Sequence, residues 1–428
     1  MKQNVSAPPP KETGNIPPRA ETGTTSSRAE TGTTSSHAKT GTTTPRAEAG
    51  TTSQVVAFTI TRTIINTLHR MVYPFLAVLA RGVGVDILTM SYVLTARSLV
   101  GTVGPFAAAV ADRRGRRFGM LFGIGLFTLG TALVVFWPVF PALVLSIILS
   151  TLGKYIFDPS MQAWLGDRIP YIRRGRTMAV TEFGWSLAFL LGVPLVGFMI
   201  ARNGWMAPFP LFVLLGGILF ATMFFMLPRD SSPSTADSPA SNFRLVLTSS
   251  PALAGLAVGL LASAANEVVN LIFGVWLEQS FGLQIAALGA ASAVIGLSEL
   301  GGEGLVAAFV DRLGKPRAIG LGLAANCLAA LGLFFLGRTE AGALVGLFFF
   351  YITFEFTLVS IIPLMTELLP SARATLMAFN VAALSLGRAV ADLLAPRLYG
   401  LGFWFVVLGA VGFNLLALAA LHKVKTAR

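Results

Sequence analysis

Residues 108–117, Ala-Ala-Val-Ala-Asp-Arg-Arg-Gly-Arg-Arg, separate two long apolar runs, and their core returns in the second half of the chain. Asp112-Arg113-Arg114-Gly115-Arg116 comes back as Asp311-Arg312-Leu313-Gly314-Lys315, an offset of 311 − 112 = 199 residues. Two apolar halves with the same charged hinge in the same place point to an internal duplication.

The composition of the hinge has a physical reason. A Gly permits a tight reversal, and several cations in a very short loop between apolar runs fix the side of the membrane on which that loop stays. With these residues the chain resembles the major facilitator superfamily, whose loops between helices 2 and 3 and between helices 8 and 9 carry G-x-x-x-D-[RK]-x-G-[RK]-[RK]. Ala108 and Ala307 stand here where that pattern has Gly. The resemblance covers about residues 54 to 422. It implies an all-α membrane protein with twelve transmembrane helices in two pseudo-symmetric six-helix bundles. It also places Asp112, at the inner end of the second helix, against the start of the eleventh near Ser371.

Composition is consistent with that class. Of 428 residues 54% are hydrophobic and 12% charged, with a mean hydropathy of +0.71, whereas soluble domains carry about 25% charged residues. The net charge of +12 is divided among short loops between apolar runs, so it reads as a topology signal and not as a nucleic-acid surface. Cys327 is the only cysteine, and the three histidines His37, His69 and His422 are scattered, so no disulfide framework, metal site or metalloenzyme motif is expected. With no phosphate-binding loop or nucleophile elbow either, neither an enzyme nor a cofactor is expected.

Twelve apolar runs are long enough to cross a bilayer, each near the 20 residues required. Spans 1 to 6 are read at 55–80, 87–111, 118–137, 141–163, 177–201 and 208–227. Spans 7 to 12 are read at 251–276, 285–310, 317–336, 342–366, 374–396 and 401–421. The domain reading follows. Residues 1–53 form a Thr/Ser/Gly/Pro-rich tail in which Arg-Ala-Glu-Thr-Gly-Thr-Thr-Ser-Ser repeats at 19–27 and 28–36, too poor in apolar residues to order itself. The first bundle is 54–228, a polar linker 229–249, the second bundle 250–422 and a basic C-terminal tail 423–428. Loops and tail on one side hold seventeen Lys and Arg, against Arg81, Arg202, Arg338 and Arg397 on the other, so both termini are expected in the cytoplasm and the protein in the cell's inner membrane.

Ionisable groups in mid-bilayer cost about 2.5–3.5 kcal/mol each on insertion scales, so each needs an interior partner or water. Span 1 places Arg62, Asn66, Arg70 and Tyr73 on one stripe just before Pro74, a kink candidate. Span 4 has Lys154, Asp158 and Gln162 four apart, the first two spaced to pair, and span 5 has Glu182 one turn before Trp185. Span 2 carries Arg97; span 7 Asn266, Glu267 and Asn270; span 8 Glu299 and Glu303; span 10 Glu355; span 11 Asn380, with Arg388 and Asp392 also spaced to pair. His69 stands beside Arg70, where its charged form is disfavoured. The resemblance implies that spans 1, 4, 7 and 10 line a central cavity and that the bundles rock in alternating access.

The expected substrate cavity is Arg62, Asn66, Arg70, Tyr73, Arg97, Lys154, Trp185 and Asn270, with Glu355, Asp158, Glu182 and Glu267 coupling transport to protons. Asp112, Arg113, Gly115, Arg116, Asp311, Arg312, Gly314 and Lys315 form the conformational hinges. The partners are then a small-molecule substrate, protons and the lipid bilayer, the protein acting as a monomer. Proton-coupled efflux of a small organic solute is the expected function, favoured by the abundance of membrane carboxylates. Gly192-Val-Pro194-Leu-Val-Gly197 adds to it, since it resembles the Gly-Pro motif of antiporters in the superfamily. Proton-coupled uptake of an anionic metabolite, suggested by Arg62, Arg70 and Arg97, and a non-transporting sensor or scaffold are the alternatives.

Overall fold

The structure is a computed structural model, and it describes residues 45–112, 114–169, 171–228 and 240–424. The expected tail therefore lies outside the described residues through residue 44, as do Arg113, the Ser/Pro stretch of the linker and the last four residues, together with the side chain of Asp112. Two of the expected boundaries move. A helix begins at Pro45, inside the stretch read as tail, because Pro suits a first helical position and Arg46-Ala-Glu-Ala49 are good helix formers. A second short helix, Ala240–Thr248, occupies most of the linker's second half.

All regular elements among the described residues are helical. The first half is α1 (Pro45–Met71), α2 (Leu76–Val83), α3 (Ile87–Asp112), α4 (Arg116–Phe136), α5 (Phe140–Arg168), α6 (Tyr171–Leu187), α7 (Val193–Asn203) and α8 (Pro208–Met226). After α9 (Ala240–Thr248) the second half is α10 (Ser250–Asn270), α11 (Phe273–Phe281), α12 (Ile285–Leu313), α13 (Lys315–Leu336), α14 (Glu340–Leu368), α15 (Arg373–Leu401) and α16 (Phe403–Leu421). Eleven stretches are long and apolar enough to span a membrane, and the bent pair α1 and α2 supplies a twelfth.

That pair bends by 71° between Met71 and Leu76, where Pro74 has no N–H to continue the helix. Span 7 breaks at the corresponding place, after Asn270, and the two breaks meet: a Cβ on Gly274 would lie 2.6 Å from the Pro74 backbone, so only Gly fits. Span 5 widens into a π turn at Ala188–Gly192 just before Pro194, and Gly192 there packs so closely on span 1 that a Cβ would collide with the Thr67 hydroxyl.

The duplication read from the hinges is visible in three dimensions. Gly115 (φ 106°) and Gly314 (φ 79°) both use the left-handed backbone that the sharp reversal requires. Arg116 Nε lies 3.5 Å from Asp167 Oδ2, and Lys315 meets Glu367, so the same ion pair recurs about 200 residues on in each half. Within the first half α4 packs along α5 through facing Gly123 and Gly153; in the second α13 packs along α14. Two seams join the halves, α3 against α15 and α7 against α12, the latter through Gly197 and Gly289. Burial separates interior from periphery. Within Ser250–Phe281 an eighteen-residue apolar window has 83% of its residues buried, whereas the corresponding windows of Pro208–Met226 and Phe403–Leu421 each have 28% and present their remaining apolar surface outward, as lipid-facing spans do.

Candidate functional site

Three guanidiniums set the geometry of the interior, each placed by the helices that frame it. Arg62, on α1, is held between α5 and α6: its Nε is 3.1 Å from Asp158 Oδ1, its Nη1 2.7 Å from Glu182 Oε1, and Nη1 also donates to the Thr181 carbonyl at 2.9 Å. Lys154 Nζ is 2.6 Å from the other oxygen of Asp158, the pairing that the spacing of four residues predicted. Spans 1, 4 and 5 are thereby tied by one network of two cations and two acids.

Two turns further along α1, Arg70 forms a two-pronged pair with Glu299 of α12, with Nη1 donating to Oε2 at 2.7 Å and Nη2 facing Oε1. Its guanidinium carbon lies 3.6 Å from the Phe189 ring centre and 4.2 Å from that of Trp185, and Nη1 donates to the Trp185 carbonyl at 3.0 Å. Planar charge, carboxylate fork and aromatic faces are combined here as arginine alone permits. Arg97, on α3, donates to the His69 carbonyl at 2.9 Å and to the Tyr73 hydroxyl, and its Nη2 is 4.0 Å from Glu267 Oε1. Glu267 Oε2 accepts from Asn270 Nδ2 at 3.1 Å, and the Asn270 oxygen accepts from the Tyr351 hydroxyl at 2.8 Å.

Between these layers lies a narrow central chamber of about 30 Å³, walled by α1, α6, α10, α12, α14 and α15. That is room for about two water molecules, so the chamber is closed as it stands. Of the expected cavity residues, Arg70, Tyr73, Trp185 and Asn270 are on its wall, whereas Arg62, Asn66, Arg97 and Lys154 are buried off it. Of the expected acids, Glu355 and Glu267 are on the wall; Asp158 and Glu182 belong to the Arg62 network. Glu355 has no hydrogen bond or ion pair among the described residues, and it sits where Gly302 of α12 comes so close that a Cβ there would lie 2.7 Å from the Glu355 Cβ.

The structure corrects one expected pair and adds residues that sequence reasoning had not placed in the site. Asp392 does not bond Arg388: its Oδ2 accepts from the Ser98 hydroxyl across the α3/α15 seam at 2.8 Å. Arg388 is instead on the chamber wall, with Asn266, Glu299, Tyr351 and Phe354. Glu299 was visible in the sequence as an interior acid, but nothing in helical spacing told which cation it would meet. Outside the spans, Asp86 caps α3 by accepting from the Thr89 N–H at 2.7 Å, and the Thr89 hydroxyl, together with that N–H, holds its carboxyl below the ordinary value.

A helical protein with up to twelve membrane spans, two related halves and a charged chamber lined by both is the architecture of a secondary transporter. The Major Facilitator Superfamily family model matches residues 58–392, and the chain belongs to that family. It is therefore a secondary transporter that works by alternating access, sits in a membrane and carries a small-molecule substrate. Among similar sequences, the uncharacterized MFS-type transporter YceJ of Bacillus subtilis (strain 168) is 26% identical over 302 residues, 68% of this chain and 75% of that protein. The inner membrane transport protein YdhP of Escherichia coli (strain K12) is 30% identical over 155 residues, 36% of this chain and 40% of that protein. Among solved structures, a D-xylose-proton symporter aligns with a TM-score of 0.71 at 16% identity, over 88% of this chain and 98% of that one. A bacterial homolog of the human lysosomal transporter Spinster, in an inward-facing and unoccupied conformation, gives 0.64 at 15% identity, over 88% and 95%.

Proposed function

We propose that this transporter couples export of a small organic solute to proton entry, with Glu355 as the group that binds and releases the proton. The observation that carries the reading is the isolation of Glu355: a buried carboxyl on the chamber wall, without a bonded cation, opposite the Arg70 and Glu299 pair. A carboxylate left unpaired in a low-dielectric interior is costly, so the group takes up a proton when the chamber closes and releases it when one side opens to water. The D-xylose-proton symporter, similar in fold, is named for proton coupling. Asp158 and Glu182 hold Arg62 and Lys154, which leaves them a structural part.

Export is supported by the Gly192 to Gly197 segment, which forms the tight seam of span 5 with spans 1 and 8. Uptake driven by Arg62, Arg70 and Arg97 loses its motive, since each of these guanidiniums already faces a carboxylate. The charge distribution of the loops supports an inner-membrane protein with both termini in the cytoplasm. The test is substrate-dependent proton flux in everted and right-side-out vesicles. Accumulation in everted vesicles alone, abolished by collapsing the pH gradient, is the expected result; flux indifferent to the gradient removes proton coupling, and no flux in either orientation favours a sensor.

A further inference from the structure

Two acids of the second half stand side by side in its interior. Asp392 of α15 and Glu267 of α10 are both buried, and their carboxyls lie within hydrogen-bonding reach of each other. One oxygen of each is satisfied: Glu267 Oε2 accepts from Asn270 Nδ2 at 3.1 Å, and Asp392 Oδ2 accepts from the Ser98 hydroxyl of α3 at 2.8 Å. The other two, Glu267 Oε1 and Asp392 Oδ1, are buried and take no hydrogen bond from any group among the described residues. The nearby cations do not fill that place. Arg97 Nη2 stops 4.0 Å from Glu267 Oε1, because its guanidinium donates to the His69 carbonyl and the Tyr73 hydroxyl. Arg388, one turn before Asp392 on α15, is surrounded by both acids and Glu355, yet it donates to neither Oε1 nor Oδ1. The remaining titratable neighbours are Tyr73, which accepts from Arg97, and Tyr351, which donates to Asn270.

Two ionised carboxylates present only acceptors to each other, and two like charges so close repel strongly in a low-dielectric interior. A proton held between them replaces that repulsion with a charge-assisted O–H···O bond, one of the strong kinds. The balance of charge asks for the same proton. Spans 7, 8, 10 and 11 bring the five acids Glu267, Glu299, Glu303, Glu355 and Asp392 against three cations, their own Arg388 and the Arg70 and Arg97 that reach across, so two carboxyls are left over and Glu355 is one of them. We propose that Asp392 and Glu267 form a second proton-binding site, in which Asp392 carries the proton and donates it through Oδ1 to Glu267 Oε1 while Oδ2 keeps the Ser98 hydroxyl. The negative charge stays on Glu267, which has a guanidinium at 4.0 Å and the Asn270 amide on its other oxygen. A single protonated carboxyl then ties span 11 to span 7 of its own half and to span 2 of the other, so a proton helps to hold the seam between the halves. The site is separate from Glu355 and does not depend on the direction of transport.

The experiment uses the purified full chain in lipid nanodiscs at neutral pH, without substrate or gradient, and with an isotopic label in the side-chain carboxyls of its aspartates. Infrared spectroscopy reads the C=O band of a protonated carboxyl, and the label's shift assigns that band to aspartate. One such band is expected in the parent chain, at the lowered frequency of a carboxyl that donates a strong hydrogen bond. It should vanish in Asp392→Asn. It should vanish in Glu267→Gln as well, because the amide N–H then donates to Asp392 Oδ1 and the Asp392 carboxyl ionises beside Arg97 and Arg388. Asp392→Asn should unfold near the parent's temperature, since its amide donates to Glu267 Oε1 as the proton did, whereas Asp392→Ala leaves Glu267 unpartnered there and should unfold well below it. Absence of an aspartate band in the parent, a band that survives either amide variant, or equal damage from Asp392→Asn and Asp392→Ala overturns the proposal. Should Glu267→Gln fail to fold, the band's position in the parent decides: the frequency of a free carboxyl means that the proton is not shared, and overturns it too. The label reports nothing of Glu355, so loss of gradient-driven flux would count against Glu355 coupling and leave this result standing.

Discussion

The two halves bring opposite charge into the interior. Spans 1, 2 and 4 contribute Arg62, Arg70, Arg97 and Lys154, whereas spans 7, 8, 10 and 11 contribute Glu267, Glu299, Glu303, Glu355 and Asp392 with Arg388 as their one cation. The first half neutralises Arg62 and Lys154 with its own Asp158 and Glu182, so that network holds one bundle together. Arg70 and Arg97 instead reach across to Glu299 and Glu267 of the other half. Pairs inside a bundle can persist through a rocking motion. Pairs between bundles lie on the surface that has to part, so their strength enters the barrier to opening.

The largest effect should come from breaking a cross-half pair one side at a time. Glu299→Ala leaves the Arg70 guanidinium buried without its partner, which costs about 3–5 kcal/mol in comparable sites, and should appear as a sharp loss of folded protein in detergent. Replacing both groups, Arg70→Met with Glu299→Met, should recover most of that stability while altering transport, because a well-packed apolar pair substitutes for a buried ion pair. A single variant as stable as the parent would mean that the pair opens freely in the ground state. Asp158→Asn should cost somewhat less, about 3 kcal/mol, since Arg62 keeps Glu182 while Lys154 loses its only carboxylate. Its signature should be stability lost within the first bundle, with proton coupling retained by the protein that does fold.

Glu355→Gln sharpens the comparison from the other side. No cation is bonded to Glu355, so the amide should leave unfolding within about 1 kcal/mol of the parent, the range of an ordinary substitution that breaks no pair. Accumulation driven by a pH gradient should nevertheless fall by about tenfold or more, equivalent to 1.4 kcal/mol or more of lost driving. Normal gradient-dependent accumulation in this variant would move the coupling role to Glu267.

What the sequence disclosed and what it withheld follow from the range of the interactions. The hinges, the spans and the break at Pro74 depend on local composition and backbone chemistry, and all are recognisable without coordinates. The Lys154 and Asp158 pair is also local, one helical turn apart. The same spacing misled for Arg388 and Asp392, because position on a helix says which groups could meet and not what lies opposite them; the Ser98 hydroxyl of α3 takes the acid. Arg70 with Glu299 and Arg97 with Glu267 depend on how helices 229 and 170 residues apart in sequence are rotated against each other (299 − 70 and 267 − 97). No periodicity encodes that rotation, which is why three arginines read as cavity cations turn out to face carboxylates.

The smallest expected effect concerns the duplicated pairs at the hinge ends. Arg116 with Asp167 and Lys315 with Glu367 occupy equivalent places, yet both acids are more than half exposed, at 58% and 51% of their side-chain surface. Water therefore screens each pair, and Arg116→Ala or Lys315→Ala should change unfolding by less than about 1 kcal/mol, the difference shrinking further in high salt. Their role should show in the conformational equilibrium. If the pairs clasp the same end of each half, breaking either should raise cysteine accessibility at that end by a similar factor, and breaking both should act additively, because the two lie in separate bundles. A large effect from one and none from the other would show that the duplication in sequence has not been kept as a duplication of function, and would locate the working hinge in the half that responds.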